Sequence, residues 1–367
     1  MGWSFAIGTV RGTTIRIHVT FLLLLAWIAI THGAQGGTPA AIDGVVFISL
    51  VFLCVLLHEF GHVTAARRYG IGTPDITLLP IGGVARLQRI PEEPAREIFV
   101  ALAGPAVNVG IALLLALILG GIPDMESGTK VEIHGVGMLE RLFWVNVFLV
   151  VFNLVPAFPM DGGRVLRALL AFRMGFARAT GIAARVGQAL AFGLGMLGLF
   201  GNPILIFIAL FVYMGAAGEA AEAQLRDAAR GLMATDAMET RYEALSHTAT
   251  VGDGVEALLR TPQQDFPVVD GAGRLRGLLT RDDMVRALQT TGPETPAVEA
   301  MRRDLPVVHH RDPLSVALAA LREAAAPAVA VEEAQGRLLG LITQQNLGEL
   351  MLVQALRQGA GGRRASP

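Results

Sequence analysis

The sequence predicts an α-helical polytopic membrane domain of about six spans, followed by a soluble α/β domain built on an internal repeat. Long apolar runs fill the chain as far as about Gly218, and runs of that length read as bilayer crossings. The remainder has ordinary soluble composition, so the overall values of 53% hydrophobic, 17% charged and mean hydropathy +0.52 average two unlike halves. From Leu232 onwards short segments recur at an offset of 63 residues: Ala237-Met238 returns as Ala300-Met301, and Gly277-Leu278-Leu279-Thr280 as Gly340-Leu341-Ile342-Thr343.

Composition also excludes some classes. A net charge of −1 over 367 residues gives no argument for nucleic-acid binding. The single cysteine, Cys54, rules out an intramolecular disulfide and a Cys-rich zinc knuckle. No cleavable signal peptide is expected, because Met1–Arg16 carries scattered charge and no A-x-A site follows the next apolar stretch closely. The expected organisation is a membrane domain over 1–220, a linker over 221–231, a repeat module over 232–357 and a disordered tail over 358–367.

The six spans read from length and hydropathy are Ile17–Ile30, Val45–Ala66, Glu97–Leu119, Met138–Val155, Ile182–Phe200 and Pro203–Ala217. Arginines alternate between the loops. Arg11 and Arg16 precede the first span, and none lies between Thr31 and Val45. Arg67, Arg68, Arg86, Arg89 and Arg96 follow the second span, and Arg164, Arg167, Arg173 and Arg178 follow the fourth. This asymmetry places both termini in the cytoplasm of a multi-pass protein of the cell membrane. Between the second and third spans, Pro74–Gln88 alternates partially around Gly82-Gly83 and reads as a short β-hairpin, either an ordinary cytoplasmic one or one whose free edge holds an extended peptide.

The chemistry begins at Val51–Ala66, VFLCVLLHEFGHVTAA. On a helix His58 and His62 lie one turn apart on one face, and both imidazoles can reach one metal. Glu59, beside the first ligand, can serve as general base toward a metal-bound water. Isolated H-E-x-x-H matches do occur by chance. Three ionisable side chains inside an apolar span are costly, however, and mark function. The Arg asymmetry puts His58 about 12 Å in from the cytoplasmic end of its span, at 1.5 Å per residue. Cys54, one turn earlier, either faces the metal or is a small buried residue. In the third span, Gly104-Pro105 and Asn108 fit helix packing or a direct role.

Two histidines leave a zinc short of a protein ligand. The fourth span ends in NLVPAFPMDGGR, where Pro156 and Pro159 break the helix and Asp161 follows. Asp161 is the natural third ligand, with an N-cap role as its alternative and Asp75 and Glu97 as weaker competitors. Asn153 can donate to a scissile carbonyl or hold an unwound peptide.

These residues resemble the site-2 proteases, the intramembrane zinc metalloproteases. The resemblance rests on His58-Glu59-Phe60-Gly61-His62, on Gly104-Pro105 with Asn108, and on Asn153, Pro156 and Pro159-Met160-Asp161-Gly162, about 100 residues in the expected order. It implies that His58, His62 and Asp161 hold one Zn2+ per chain, that Glu59 is the catalytic base, and that Asn153 and Pro159 flank the scissile bond. It further implies cleavage of a membrane-anchored protein, such as a transcription regulator or its inhibitor, within or near its transmembrane segment and toward the cytoplasm. The Ile122–Gly137 loop is too short for the PDZ domain of some branches.

In the soluble half each copy reads helix, strand, strand, helix, which resembles a tandem CBS module as found on one site-2 protease branch. Such pairs often bind adenine nucleotides such as ATP, and also mediate homodimers. The Thr and Asp that contact ribose and phosphates in that family match Thr280 and Asp283; the second copy has Thr343 but Asn346, so one competent site is expected. The alternative function is a CBS-gated membrane transporter or channel with a bound metal. Transport favours ionisable groups spread through the membrane, whereas here they cluster at one level. No P-loop is present, so a nucleotide would regulate and not fuel the protein.

Overall fold

The computed structural model describes residues 3–80, 82–85, 93–124, 136–324 and 326–350; the tail expected to be disordered lies outside them. The chain divides into two compact units, Met1–Ala223 and Gln224–Pro367.

The first unit opens with strands β1 (Ser4–Val10) and β2 (Thr13–His18), followed by the 49-residue helix α1 (Val19–Arg67). Strands β3 (Asp75–Leu79) and β4 (Gly82–Ala85) come next, then α2 (Pro94–Leu119), α3 (Val136–Asn153), α4 (Asp161–Ala171), α5 (Phe176–Phe200) and α6 (Ile204–Ala228). At 1.5 Å per residue α1 would be about 74 Å long, more than twice a ~30 Å hydrocarbon core. It is not straight. Gly36 and Gly37 leave helical geometry, Gly37 at φ +69°, and Pro39 follows. The two arms then run back along each other: Phe21 meets Phe52 with ring centroids 4.4 Å apart, and a Cβ on Gly44 would lie 2.7 Å from the His32 ring.

Among the described residues four helices are long and apolar enough to cross a membrane: α1, α2, α5 and α6. That is fewer than the six expected. Apart from Ile17 and His18, which belong to β2, the first two predicted spans fall within α1, and the predicted fourth falls on α3, an 18-residue helix. These helices show large apolar side chains outward, among them Leu117 at 78%, Phe192 at 74% and Phe207 at 73% exposure. In water such a surface would drive association; it suits lipid.

The first predicted span also begins too early. Thr13–His18 is a strand, paired antiparallel with β1 across the tight Arg11-Gly12 turn, both residues at positive φ. Strand β2 pairs parallel with β3, and β3 antiparallel with β4, giving the sheet order β1-β2-β3-β4. The expected hairpin around Gly82-Gly83 is therefore the outer pair of a four-stranded sheet, with Ile15, Ile76 and Leu78 buried.

The second unit contains α7 (Ala234–Ala237), β5 (Leu245–Ser246), α8 (Val251–Arg260), β6 (Asp265–Val269), β7 (Leu275–Thr280) and α9 (Arg281–Thr290). The second copy follows as α10 (Ala297–Ala300), β8 (Val307–His309), α11 (Leu314–Glu323), β9 (Ala328–Glu332) and β10 (Leu338–Thr343). Each copy forms one three-stranded sheet, β5-β6-β7 or β8-β9-β10. The copies exchange backbone reciprocally. Leu278 N donates to Arg302 O and Arg302 N to Leu278 O, each at 2.9 Å, while Glu239 and Leu341 make the equivalent pair at 2.8 and 3.2 Å. Leu278, Ala328, Ala330 and Leu341 form the apolar seam between the copies, which makes the pair one folded body.

Candidate metal centre and active site

Three side chains converge where α1 faces α2 and the start of α4. His58 Nε2 and His62 Nε2 are 3.0 Å apart, and Asp161 Oδ2 lies 3.3 Å from the first and 3.1 Å from the second. All three residues are buried. Helical spacing aligns the two rings, and the break at Pro156 and Pro159 delivers Asp161 as the first residue of α4.

Close approach depends on glycines. A Cβ on Gly104 of α2 would sit 2.2 Å from His62 Nε2 and 2.7 Å from His58 Nε2, so no side chain fits there. A Cβ on Gly61 would strike the Ala103 carbonyl oxygen at 2.6 Å, so this glycine brings α1 and α2 together. The packing reading of Gly104 thus holds, with a specific reason: it leaves room for both rings.

The outer ring nitrogens settle what the inner ones present. His62 Nδ1 faces the Val100 carbonyl at 2.8 Å, and His58 Nδ1 faces Asn108 Oδ1 at 2.5 Å. Both partners are acceptors, so each Nδ1 carries the proton and each Nε2 turns a lone pair toward the other and toward Asp161. Asp161 Oδ2 is buried and makes no hydrogen bond. Two imidazole lone pairs and a carboxylate oxygen, gathered in a buried space, repel one another unless a cation lies among them. The set is two N and one O, as in catalytic zinc sites, and bonds of about 2.0–2.1 Å at tetrahedral angles separate ligand atoms by about 3.3 Å. The residues fit zinc. Among the described residues, His58, His62 and Asp161 are the group placed to hold a metal.

Glu59 lies beside this cluster; its electrostatic neighbours include His62, His58 and Asp161. Strand β4 covers it, since a Cβ on Gly83 would stand 2.7 Å from Glu59 Cγ. The weaker ligand candidates lie elsewhere. Glu97 pairs with Arg167, Asp75 begins β3, and Cys54 accepts from Asn146 at 3.4 Å. Asn153 spends its amide on the Leu149 carbonyl, 2.9 Å away in its own helix, and Pro159 packs against Gly215 of α6.

In the second unit Thr280 and Asp283 are buried at the start of α9, where Thr280 Oγ1 donates to Asp283 Oδ2 at 2.6 Å. Arg302 Nε reaches the same oxygen at 3.1 Å, and Arg286 the other at 3.1 Å. Burial opposes ionisation of Asp283, but the Thr280 and Arg302 hydrogen bonds outweigh it and hold the carboxyl below the usual carboxylate range. In the other copy Thr343 pairs with Asn346, whose amide donates to Glu239 at 3.3 Å. The repeat thus sets a carboxylate with an arginine in one copy against an amide with a glutamate in the other. A cleft of about 830 Å³, lined in part by Tyr242, Asp265, Thr280, Arg302 and Thr343, runs past both.

A buried cluster of two histidines and one carboxylate, with its histidines on an apolar helix and a second acidic side chain next to the first histidine, defines an intramembrane metallopeptidase. The profile of Peptidase family M50 matches residues 46–132 and 119–194, and that of the CBS domain matches 234–290 and 297–351. Zinc metalloprotease MJ0392 of Methanocaldococcus jannaschii is 35% identical over 280 residues, covering 76% of this chain and 78% of that protein. Stage IV sporulation protein FB of Bacillus subtilis is 27% identical over 202 residues, 54% of this chain and 64% of that one. A solved site-2 protease from Methanocaldococcus jannaschii is 36% identical and superposes with a TM-score of 0.46, covering 59% of this chain and 95% of that chain. The chain belongs to Peptidase family M50: it is a zinc metalloendopeptidase of the site-2 protease type with a C-terminal tandem CBS pair.

Proposed function

We propose that this protein cleaves a membrane-anchored protein within or near its transmembrane segment, toward the cytoplasmic side, using one zinc per chain held by His58, His62 and Asp161. The observation that carries this reading is the convergence of two histidine Nε2 atoms and the otherwise unbonded Asp161 Oδ2 within 3.3 Å. Bound zinc supplies Lewis-acid polarisation of the scissile carbonyl and a water of lowered pKa. Glu59 takes a proton from the attacking water and returns it to the leaving amine. Gly83, against Glu59, puts β4 beside the base, and β3 is its pairing partner among the described residues. The other edge of β4 suits an unwound substrate added as a further strand, which exposes carbonyls that a helix hides. Asn153 and Pro159, at the broken end of α3, are the residues we assign to holding that stretch.

The arginine asymmetry supports a multi-pass protein of the cell membrane with both termini in the cytoplasm. In the CBS pair we assign Thr280 and Asp283 to an adenine nucleotide such as ATP, acting as regulator. Arg302 favours phosphate on that side, whereas Glu239 opposes it in the other copy. Comparative membrane proteomics of wild type and a Glu59→Gln strain tests the reading. Intact membrane-anchored proteins should accumulate in the mutant, and identical proteomes would refute proteolysis.

A further inference from the structure

A directional hydrogen-bond chain leads from a helix carbonyl to the first histidine. Asn146 of α3 is fully buried in an apolar helix, and its Nδ2 donates to the Leu142 carbonyl at 2.8 Å. Its second donor direction meets Cys54 Sγ at 3.4 Å on α1. Asn146 Oδ1 accepts from Asn108 Nδ2 at 2.8 Å, and Asn108 Oδ1 faces His58 Nδ1 at 2.5 Å. Asn108 is fully buried as well.

Each link constrains the next. A peptide carbonyl only accepts, so Asn146 must turn its NH2 toward Leu142 and its oxygen toward Asn108. That oxygen accepts only from the Asn108 NH2, which leaves Asn108 Oδ1 for His58. His58 must then protonate Nδ1 and keep the Nε2 lone pair for the cluster. Reversing either amide sets oxygen against oxygen in a buried site, where an unmatched polar pair costs about 1–3 kcal/mol. His62 needs no such relay, because its Nδ1 meets the Val100 backbone carbonyl directly.

We infer that Asn146, which touches none of the three cluster side chains, is a positioning residue: through Asn108 it fixes the tautomer and ring orientation of His58 for metal binding. The inference rests on the zinc reading above. An isolated asparagine in an apolar helix could serve packing alone, and the test must separate the two roles.

The test measures zinc affinity of purified full-length protein by chelator competition, alongside thermal unfolding of the metal-free protein. Asn146→Leu frees the Asn108 amide to turn, and affinity should fall about 10- to 100-fold, the range for lost outer-shell partners. Should that variant not fold, Asn146→Ser retains a donor for Leu142 but is too short to reach Asn108, and gives the same loss. The decisive variant adds Asn108→Asp to Asn146→Leu. A carboxylate accepts from His58 Nδ1 whichever way it turns, so affinity should return to within a few-fold of wild type while thermal stability stays low. Wild-type affinity in Asn146→Leu, or no recovery in the double variant, would overturn the inference. A wild type that binds no zinc would overturn the zinc reading itself and the inference with it.

Discussion

Arg167 of α4 is buried against Glu97 of α2: its Nε and Nη2 both reach Glu97 Oε1, at 2.7 and 2.5 Å. Its Nη1 reaches Glu219 of α6 at 2.7 Å, and its guanidinium lies about 5 Å from the rings of Phe158 and Phe176. One cation therefore ties three helices together two turns beyond Asp161. A buried pair that loses one partner typically costs about 3–5 kcal/mol, because the remaining charge is stranded. Arg167→Leu should show that loss in thermal unfolding in detergent, together with weaker zinc retention, since α4 carries Asp161. Replacing Arg167, Glu97 and Glu219 together by apolar residues should recover much of the stability, since no charge is then left stranded.

Gly104 offers a sharper steric test. A methyl group there would lie 2.2 Å from His62 Nε2, far inside van der Waals contact. Gly104→Ala gains about 1 kcal/mol of helix propensity against an overpacking cost of about 1–3 kcal/mol, so thermal unfolding is measured beside zinc content. Its zinc content should fall to near zero by elemental analysis, and peptidase activity with it.

The CBS pair makes a pH-dependent prediction. Asp283 is held below the usual carboxylate range. Its contribution is therefore full above the unfolded value of about 3.9 and lost as pH falls through the folded value. Asp283→Asn should destabilise the protein by about 1–2 kcal/mol at pH 7, from lost charged hydrogen bonds. By pH 3 the gap to wild type should narrow, as thermal scans across pH will show. The same variant should weaken ATP binding to full-length protein in calorimetry while zinc content stays unchanged. Asn346→Ala in the other copy should alter ATP binding little.

Much of the site can be read along the chain because its chemistry is local. His58, Glu59 and His62 fall within five positions, and Asp161 follows two prolines that end a span. The outer shell is less legible. Asn146 carries the same signal as Asn108, a lone amide in an apolar run, yet neither residue names its partner in another helix. Glu97, Arg167 and Glu219 are far apart in sequence and become one network only when α2, α4 and α6 pack. Strands β1 and β2 escape for a different reason. Thr13–His18 alternates over six residues immediately before a long apolar helix, and hydropathy averaged over a span-length window draws its last two residues, Ile17 and His18, into that helix. The repeat is plain in sequence, but its reciprocal Leu278–Arg302 and Glu239–Leu341 pairing depends on tertiary contact.

The most direct test of the central claim is the zinc stoichiometry of purified Asp161→Ala beside wild type, His58→Ala and Glu59→Gln. The account predicts about one zinc per chain in wild type and in Glu59→Gln, and little in the two ligand variants. Full zinc retention in Asp161→Ala, or a wild type without zinc, would contradict it.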